Sequence, residues 1–333
     1  MNPEFHAQNR RFQIWVVAIG IFLMGLKFLA WWITNSNAIL TDALESIINV
    51  VAGFFALYSI SLTAKPKDAN HPYGHGKIEF LAAGFEGGLI AVAGLLIVIK
   101  SAYNLVYPQP LEQIDLGLAI TAFSGLVNLG LGYWMVRRGK ISRSLTVQSE
   151  GKHLLSDAYS SAGILAGMGL LWITGAGWLD SVTAIVFGLF ILYTGYKLLR
   201  SAISGIMDEA DPEVIQHLVD ILERNRQANW VDIHNLRVIR YGADIHVDCH
   251  LTVPWFFSVK QGHDEVKRLE VLIQSESPMP VELFIHADPC RPPLACALCT
   301  KADCEERKAQ FEQEIPWTLK HLLFHRNHQE LEQ

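Results

Sequence analysis

The stretch 38–62, AILTDALESIINVVAGFFALYSISL, is apolar enough to cross a bilayer, yet it carries Asp42, Glu45 and Asn49. These polar residues are three and four positions apart, so a helix places them close together on one face. About 20 apolar residues in helical form cross a hydrocarbon core about 30 Å thick. The stretch therefore predicts a transmembrane helix with a polar face. Ionisable side chains inside a membrane usually mark an ion or substrate pathway.

The rest of the chain repeats this apolar pattern up to about residue 205. The 333 residues are 50% hydrophobic and only 18% charged, which indicates a membrane protein with a soluble part. The first apolar run is too long for a signal-peptide core and no small-residue cleavage site follows it, so we expect it to be retained. We predict six spans: Phe12–Thr34, Ile39–Leu62, Phe80–Val106, Leu116–Val136, Leu145–Ile173 and Leu179–Leu199.

The distribution of Lys and Arg predicts the orientation of these spans. Basic residues precede the first span and lie between spans two and three and between spans four and five, whereas the other short loops contain none. By the positive-inside rule both termini are cytoplasmic. We expect a multi-pass protein of the cell membrane, which in a bacterium is the inner membrane. Nothing in the net charge of −6 indicates a nucleic-acid partner.

The residues after the last span predict a small soluble domain. Asp211 and Pro212 are an N-cap and a first helical residue before an apolar period of 3.6. Two strands, a second helix and a third strand follow, in VDIHNLRVIRYG, ADIHVDCHLTV, SVKQGHDEVKRLEVLIQS and PVELFIHAD. We therefore expect a six-helix transmembrane domain at 1–206, a cytoplasmic αββαβ domain at 207–290 and an irregular tail at 291–333.

A pair of polar residues at the start of the fifth span can join the polar residues of the second span in one ion site. His153 and Asp157 are four positions apart and can bind a divalent ion from one side of a helix. With Glu45 and Asn49, and with Asp42 one turn earlier, they form a set rich in oxygen that suits Zn, Fe, Co or Mn. The alternatives are a buried hydrogen-bonded pair without metal, and acids that cap or line a polar helix interface. Glu86 in the third span is a further intramembrane acid.

Two other groups of residues have metal-ligand chemistry. The loop KPKDANHPYGHGK holds Asp68, His71 and His75, whose turns can fold around one ion, although a solvated loop is the simpler alternative. Lys77, just after the loop, can pair with Asp208 or Glu209. In the soluble domain, strand alternation places His246, Asp248 and His250 on one face. The same domain also contains His234, His263, His286 and Asp288. The alternative for this group is solvated surface histidines, a class to which we assign His217, His321, His325 and His328.

All five cysteines follow the last span, on the side predicted to be reducing, so thiols or metal ligands are expected rather than disulfides. Cys296 and Cys299 have zinc-ligand spacing, and with Cys290 and Cys304 they are a speculative tail site. A disordered reduced tail is the alternative.

Several short motifs, in order, resemble the cation diffusion facilitators, which are proton-coupled exporters of divalent metals. The resemblance extends to about Pro289 and rests on ALESIIN, DANHPYGHGK, HLLSDA, IHNLR, VDCHL, QGHDEV and IHADPC. It implies a homodimer with six transmembrane helices and a metallochaperone-like, ferredoxin-like cytoplasmic domain. It also implies a charge pair near the dimer hinge, matched by Lys77 and Asp208.

The same resemblance implies three metal sites. The transport site matches Glu45, Asn49, His153 and Asp157, the loop site matches Asp68, His71 and His75, and the binuclear site of the soluble domain matches His234, His250, His263, His286 and Asp288. The family usually has Asp where this chain has Asn49, a neutral and weaker ligand, so either the site is less charged or Asp42 replaces the missing carboxylate.

The function that follows is efflux of divalent transition metals by alternating access in exchange for protons. Zn²⁺ is the first choice, with Fe²⁺, Co²⁺, Mn²⁺, Cd²⁺ and Ni²⁺ as others, and metal acts both as substrate and as regulatory ligand. No organic cofactor and no enzymatic activity are expected. The main alternative is a metal-sensing membrane receptor or channel, and a further alternative is an intramembrane metalloenzyme.

Overall fold

A computed structural model describes residues 3–34, 37–107, 114–174, 178–242 and 244–325. The chain divides into two compact units, Met1–Met207 and Asp208–Gln333. The described part of the first unit is helical, and that of the second combines helices with a three-stranded sheet. This is the predicted architecture, a multi-pass helical protein with a small α+β domain at its C-terminal end.

Long helices occupy the positions of the predicted spans. In the described ranges they are α1 (Pro3–Thr34), α2 (Asn37–Thr63), α3 (Ile78–Val106), α4 (Ile114–Ser142), α5 (Leu145–Thr174) and α6 (Trp178–Ile206). By length and composition, three described segments can cross a membrane: Gln8–Leu29, Ile78–Val106 and Ile185–Ile206. A shorter apolar segment, Asn49–Thr63, lies in α2.

Helices α3 and α6 approach each other closely through glycines. A Cβ at Gly87 would lie 2.7 Å from the backbone nitrogen of Leu199, and one at Gly94 would lie 2.7 Å from that of Leu192. Such distances are too short for any side chain, so glycine at these positions lets the two backbones pack directly. Small residues serve this purpose in membrane helix pairs, where lipid offers no hydrophobic driving force for association.

The first turn of α5 is held by the buried acid Glu79 of α3. Glu79 accepts hydrogen bonds from Ser144 Oγ at 2.9 Å and from the backbone N–H of Leu145 at 2.6 Å. These contacts satisfy a helix N-terminus and place negative charge at its positive end. In the first turn of α5, the hydroxyl of Thr146 is hydrogen-bonded to that of Ser59 of α2 at 2.9 Å. Both contacts fix the helix on which His153 and Asp157 lie.

The second unit contains the predicted αββαβ order. Its elements are α7 (Pro212–Arg224), β1 (Asp232–Tyr241), β2 (Asp244–Val253), α8 (Val259–Glu276) and β3 (Val281–Pro289). Strand β2 is central, antiparallel to β1 and parallel to β3. The N-cap prediction is confirmed, since the Asp211 side chain accepts from the backbone N–H of Glu213 at 3.1 Å. Buried apolar residues of the sheet and both helices form one core.

The tail contains two short helices, α9 (Leu294–Leu298) and α10 (Leu319–Leu322), and the segment around α10 packs onto this core. Trp317 and Leu322 are 2% and 0% exposed and belong to the same cluster as the apolar residues of the strands. The Arg226 guanidinium lies 4.4 Å from the Trp317 ring centroid. The alternative of a disordered tail therefore does not hold for residues up to 325.

Candidate metal centres

Asn49 of α2 bridges His153 and Asp157 of α5. Asn49 Nδ2 donates to Asp157 Oδ2 at 2.5 Å, and Asn49 Oδ1 lies 2.9 Å from His153 Nε2. The same nitrogen of His153 is 3.9 Å from Asp157 Oδ2. Ligand atoms on a tetrahedral zinc ion stand roughly 3.3 Å apart, so these atoms are near ligand spacing. The side chains of Asp42 and Glu45 lie outside the described residues.

A second set of polar groups lies behind the His153 ring. Glu86 of α3 is 0% exposed, and its Oε2 is 3.5 Å from His153 Nδ1. The Glu150 carboxyl lies near Glu86, and the Gln13 amide lies beside Glu150. Glu86 thus faces the nitrogen of His153 that points away from Asn49.

This placement suits a metal-binding histidine. A ring that binds an ion through Nε2 carries its proton on Nδ1, and a carboxylate there fixes that tautomer and the ring orientation. Glu86 is therefore positioned as a supporting acceptor, on the opposite side of the ring from the candidate ligand atoms.

The loop between α2 and α3 brings its three predicted ligands together. Asp68 Oδ1 is 3.1 Å from His71 Nδ1, and Asp68 Oδ2 is 3.4 Å from His75 Nε2. One ligand atom from each residue lies within 4.8 Å of the other two. The backbone N–H groups of His71 and Asn70 donate to the Asp68 carboxylate. The hydrogen bond from His71 is the main cause that lowers the pKa of the Asp68 carboxyl. The loop therefore presents an ionised carboxylate between two imidazoles.

The sheet holds a third group at neighbouring register positions. His234 of β1 is opposite His250 of β2, which is opposite His286 of β3. Asp288 Oδ2 is 2.8 Å from His250 Nδ1 and 3.6 Å from His234 Nε2, and these three residues offer ligand atoms within 4.8 Å of one another. His286 Nε2 lies 3.2 Å from Asp288 Oδ1.

Asp232 and the tail residue His321 support this group. Asp232 Oδ2 is 3.3 Å from His234 Nδ1, and Asp232 Oδ1 is 3.1 Å from His321 Nε2. The His321 side chain is only 9% exposed. The prediction that His321 is a solvated surface residue is therefore wrong, because α10 packs the ring against the first residue of β1. His217 and His325 are exposed, and His328 lies outside the described residues.

The other predicted residues are placed separately. His263 is exposed in the first turn of α8, and the described cluster of His234, His250 and Asp288 does not include it. Lys77 precedes α3 in the first unit, and Asp208 begins the second with φ of 56°. Their pairing stays a prediction. The four tail cysteines lie together in the second unit, and their surroundings are described below.

Several residues of these sites are absent from the sequence predictions. Glu150 is three positions before His153 and seven before Asp157, so the helical period that identifies the pair also includes it. Asp232 is two positions before His234 on the same strand face. Glu79 and Gln13 carry no comparable signal, because their partners lie on other helices.

Models of two protein domains match almost the whole chain. The cation efflux transmembrane domain matches residues 13–207, and the cytoplasmic domain of cation efflux proteins matches residues 210–290. The chain belongs to the cation diffusion facilitator family. It is accordingly a cation efflux transporter of that family and a multi-pass membrane protein.

Curated relatives agree with this assignment over most of their length. An uncharacterized transporter of Synechocystis sp., sll1263, is 33% identical over 280 residues, which cover 84% of this chain and 90% of the relative. The cation-efflux pump FieF of Salmonella arizonae is 28% identical over 299 residues, which cover 87% of this chain and 96% of that protein. FieF of Escherichia coli O127:H6 matches to the same extent. The cysteines from Cys296 onward lie beyond the part that the cation diffusion facilitator models cover.

Proposed function

We propose that this cation diffusion facilitator exports divalent transition-metal ions, zinc first, from the cytoplasm in exchange for protons. The observation that carries the proposal is the contact of Asn49 with His153 and Asp157 between α2 and α5. It puts one imidazole and one carboxylate near ligand spacing in the helical unit. Two of the relatives are cation-efflux pumps, which supports the direction of transport.

The proposed coupling to protons follows from the chemistry of the ligands. A carboxylate or imidazole binds metal only after it loses its proton, so ions and protons compete for His153 and Asp157. An imidazole with a pKa near 6.5 makes this exchange at physiological pH. Protons that arrive from the far side displace the ion, and alternating access of the helices around the site carries it across.

Asn49 makes this site less charged than one with two carboxylates at these positions. Its Nδ2 donates to Asp157 when no ion is bound, which keeps the carboxylate satisfied within the helix pair. We propose that Glu45 is a further ligand and that Asp42 replaces the carboxylate that Asn49 lacks. Transport by an Asp42→Ala variant at the wild-type rate would contradict the role of Asp42 and leave the other ligands in place.

We further propose that the soluble domain senses metal in a homodimer with both termini in the cytoplasm. His234, His250 and Asp288 form the core of this sensing site, with His286 and His263 as additional ligands. The Lys77 and Asp208 pair near the hinge would transmit closure to the helices. The loop ligands Asp68, His71 and His75 would bind ions before they reach the transport site.

Transport in proteoliposomes tests the central proposal. We expect zinc uptake into vesicles that contain the protein to rise with an opposing proton gradient, and Asp157→Ala to reduce it to the rate of empty vesicles. Asp220→Ala is the matched control, because it makes the same chemical change on an exposed position of α7. A panel of Zn²⁺, Fe²⁺, Co²⁺, Mn²⁺, Cd²⁺ and Ni²⁺ ranks the substrates. Uptake that is insensitive to both the gradient and Asp157→Ala would contradict antiport.

The sensing role has its own test. His250→Ala and Asp288→Ala should lower the transport rate at limiting zinc and leave the rate at saturating zinc nearly unchanged. An unaltered dependence of the rate on zinc in both variants would contradict regulation by this site.

A further inference from the structure

Four cysteines of the second unit surround one small cleft beside the sheet. Cys290 follows β3, Cys296 lies in α9, and Cys299 and Cys304 follow α9. All four line the same cleft, together with Val231, Trp255 and Arg307 among others. The tail therefore brings four thiols, separated along the chain by up to fourteen positions, to one place.

One of these sulfur atoms accepts a hydrogen bond from the backbone. The N–H of Lys308 donates to Cys296 Sγ at 3.4 Å. The thiolate, rather than the thiol, is the form of cysteine that binds metal.

Arg307 holds the walls of the cleft together. Its guanidinium donates to the carbonyl oxygens of Cys296 at 2.8 Å, Cys299 at 2.9 Å and Lys301 at 2.8 Å. These charge-assisted bonds fix the turn that contains Cys296 and Cys299. They also place a permanent positive charge beside the sulfurs. The positive charge offsets part of the negative charge that a cluster of thiolates would carry.

Without a cation, the cluster is electrostatically unfavourable for thiolates. Thiolates gathered in one cleft repel one another. A divalent cation among the sulfurs reverses the sign of this interaction, because it attracts every thiolate at once. Disulfides are not expected on the predicted cytoplasmic side, so the thiols are available as ligands.

We propose that Cys290, Cys296, Cys299 and Cys304 bind one zinc ion as a structural tetrathiolate site. Binding breaks the four S–H bonds, forms four Zn–S bonds and releases the four protons to solvent. Four protein ligands leave no open coordination position, which is the arrangement of structural rather than catalytic zinc. In the described residues no three of these sulfurs lie within 4.8 Å of one another, so rotations of the side chains complete the closure to Zn–S bonds of about 2.3 Å.

The position of the site gives it a structural task. Cys299 and Ala295 pack on Val231, which immediately precedes Asp232 at the start of β1. An ion there joins the end of β3 to the tail and holds both against the start of β1. The tail farther on supplies His321 to Asp232, and Asp232 in turn contacts His234. The proposed zinc site therefore stabilises the part of the fold that supports the sensing histidines, and it does not depend on the transport proposal.

Cobalt spectroscopy of the full-length protein in detergent tests the proposal. The Cys249→Ala background leaves only the four tail thiols; Cys249 is buried in the core with its pKa raised to about 12. Co²⁺ added to the reduced, metal-free protein should give a sulfur-to-cobalt charge-transfer band that saturates at one equivalent and disappears on addition of Zn²⁺. Only thiolate ligands give this band, so the His and carboxylate sites do not interfere. Cys296→Ser with Cys299→Ser should abolish the band, and Asp157→Ala should leave it intact.

Thiol protection provides a second test, which does not require the variant with Cys296→Ser and Cys299→Ser to fold. In the Cys249→Ala protein, Zn²⁺ should protect all four thiols from a maleimide reagent until a chelator is added, and Fe²⁺ should not. A missing charge-transfer band, a band that survives the double variant, thiols that react equally with and without Zn²⁺, or equal protection by Fe²⁺ would each overturn the zinc site. An intact band together with zinc uptake that is insensitive to both the proton gradient and Asp157→Ala would refute the transport proposal alone.

Discussion

Asn49 joins the two predicted transport-site residues of α5. Its amide contacts both His153 and Asp157. Asn49→Asp would place a second carboxylate 2.5 Å from Asp157 Oδ2, where only a shared proton or a cation relieves the repulsion. We expect the variant to bind zinc about tenfold more tightly, which is about 1.4 kcal/mol, and to release it more slowly. Calorimetric titration and transport rates of the two proteins check this, and weaker binding by the variant would contradict it.

Glu86 is predicted to act through His153 rather than on the ion itself. Loss of an acceptor behind a metal-binding histidine typically costs ten- to hundredfold in affinity. Glu86→Leu should therefore weaken zinc binding by roughly that range, whereas Glu86→Gln, whose amide oxygen can accept from His153 Nδ1 when the ring carries its proton there, should recover most of it. Equal losses in the two variants, measured by calorimetry, would show that charge and not hydrogen bonding is what Glu86 supplies.

At the scale of elements, the glycine contact between α3 and α6 determines how closely the helices pack. Gly94→Ala would put a Cβ 2.7 Å from the backbone nitrogen of Leu192, so we expect a loss of about 1 to 3 kcal/mol and a lower melting temperature in detergent. Gly88→Ala is the matched control on the same helix, because no described atom lies within 4 Å of its Cβ position. Alanine there should be neutral or should stabilise by up to about 1 kcal/mol. Equal melting temperatures for the two variants would contradict the close-packing argument.

The helix elements are also where prediction from sequence works best. A period of 3.6 and an apolar run of span length are local properties, so α1 to α6 and the αββαβ order can be predicted without any contact. The same locality identifies His153 with Asp157, and the ligands of the loop. Glu79, by contrast, caps α5 from α3 at a separation of 66 positions. No local pattern carries that information.

At the scale of the whole chain, the tail is part of the sheet unit. His321 contacts Asp232, which contacts His234. His321→Ala should therefore weaken zinc binding at His234, His250 and Asp288 by about threefold to tenfold, since the lost contact acts through Asp232. Titration in an Asp68→Ala and Asp157→Ala background, with zinc first bound to the tail cysteines, isolates the sheet site, and the exposed His217→Ala is the control. Unchanged affinity in His321→Ala would mean that Asp232 orients His234 without the tail.

The sequence by itself determined the elements and the faces of the elements, because side-chain direction follows from the helical and strand periods. It placed Asn49, His153 and Asp157 on two helix faces, and His250 on the polar face of a strand. Only the tertiary structure decided which faces meet. It brought Glu86 and Glu150 behind His153, buried His321 against Asp232, and gathered four cysteines around one cleft. These contacts depend on packing between segments far apart in the chain, which local periodicity does not encode.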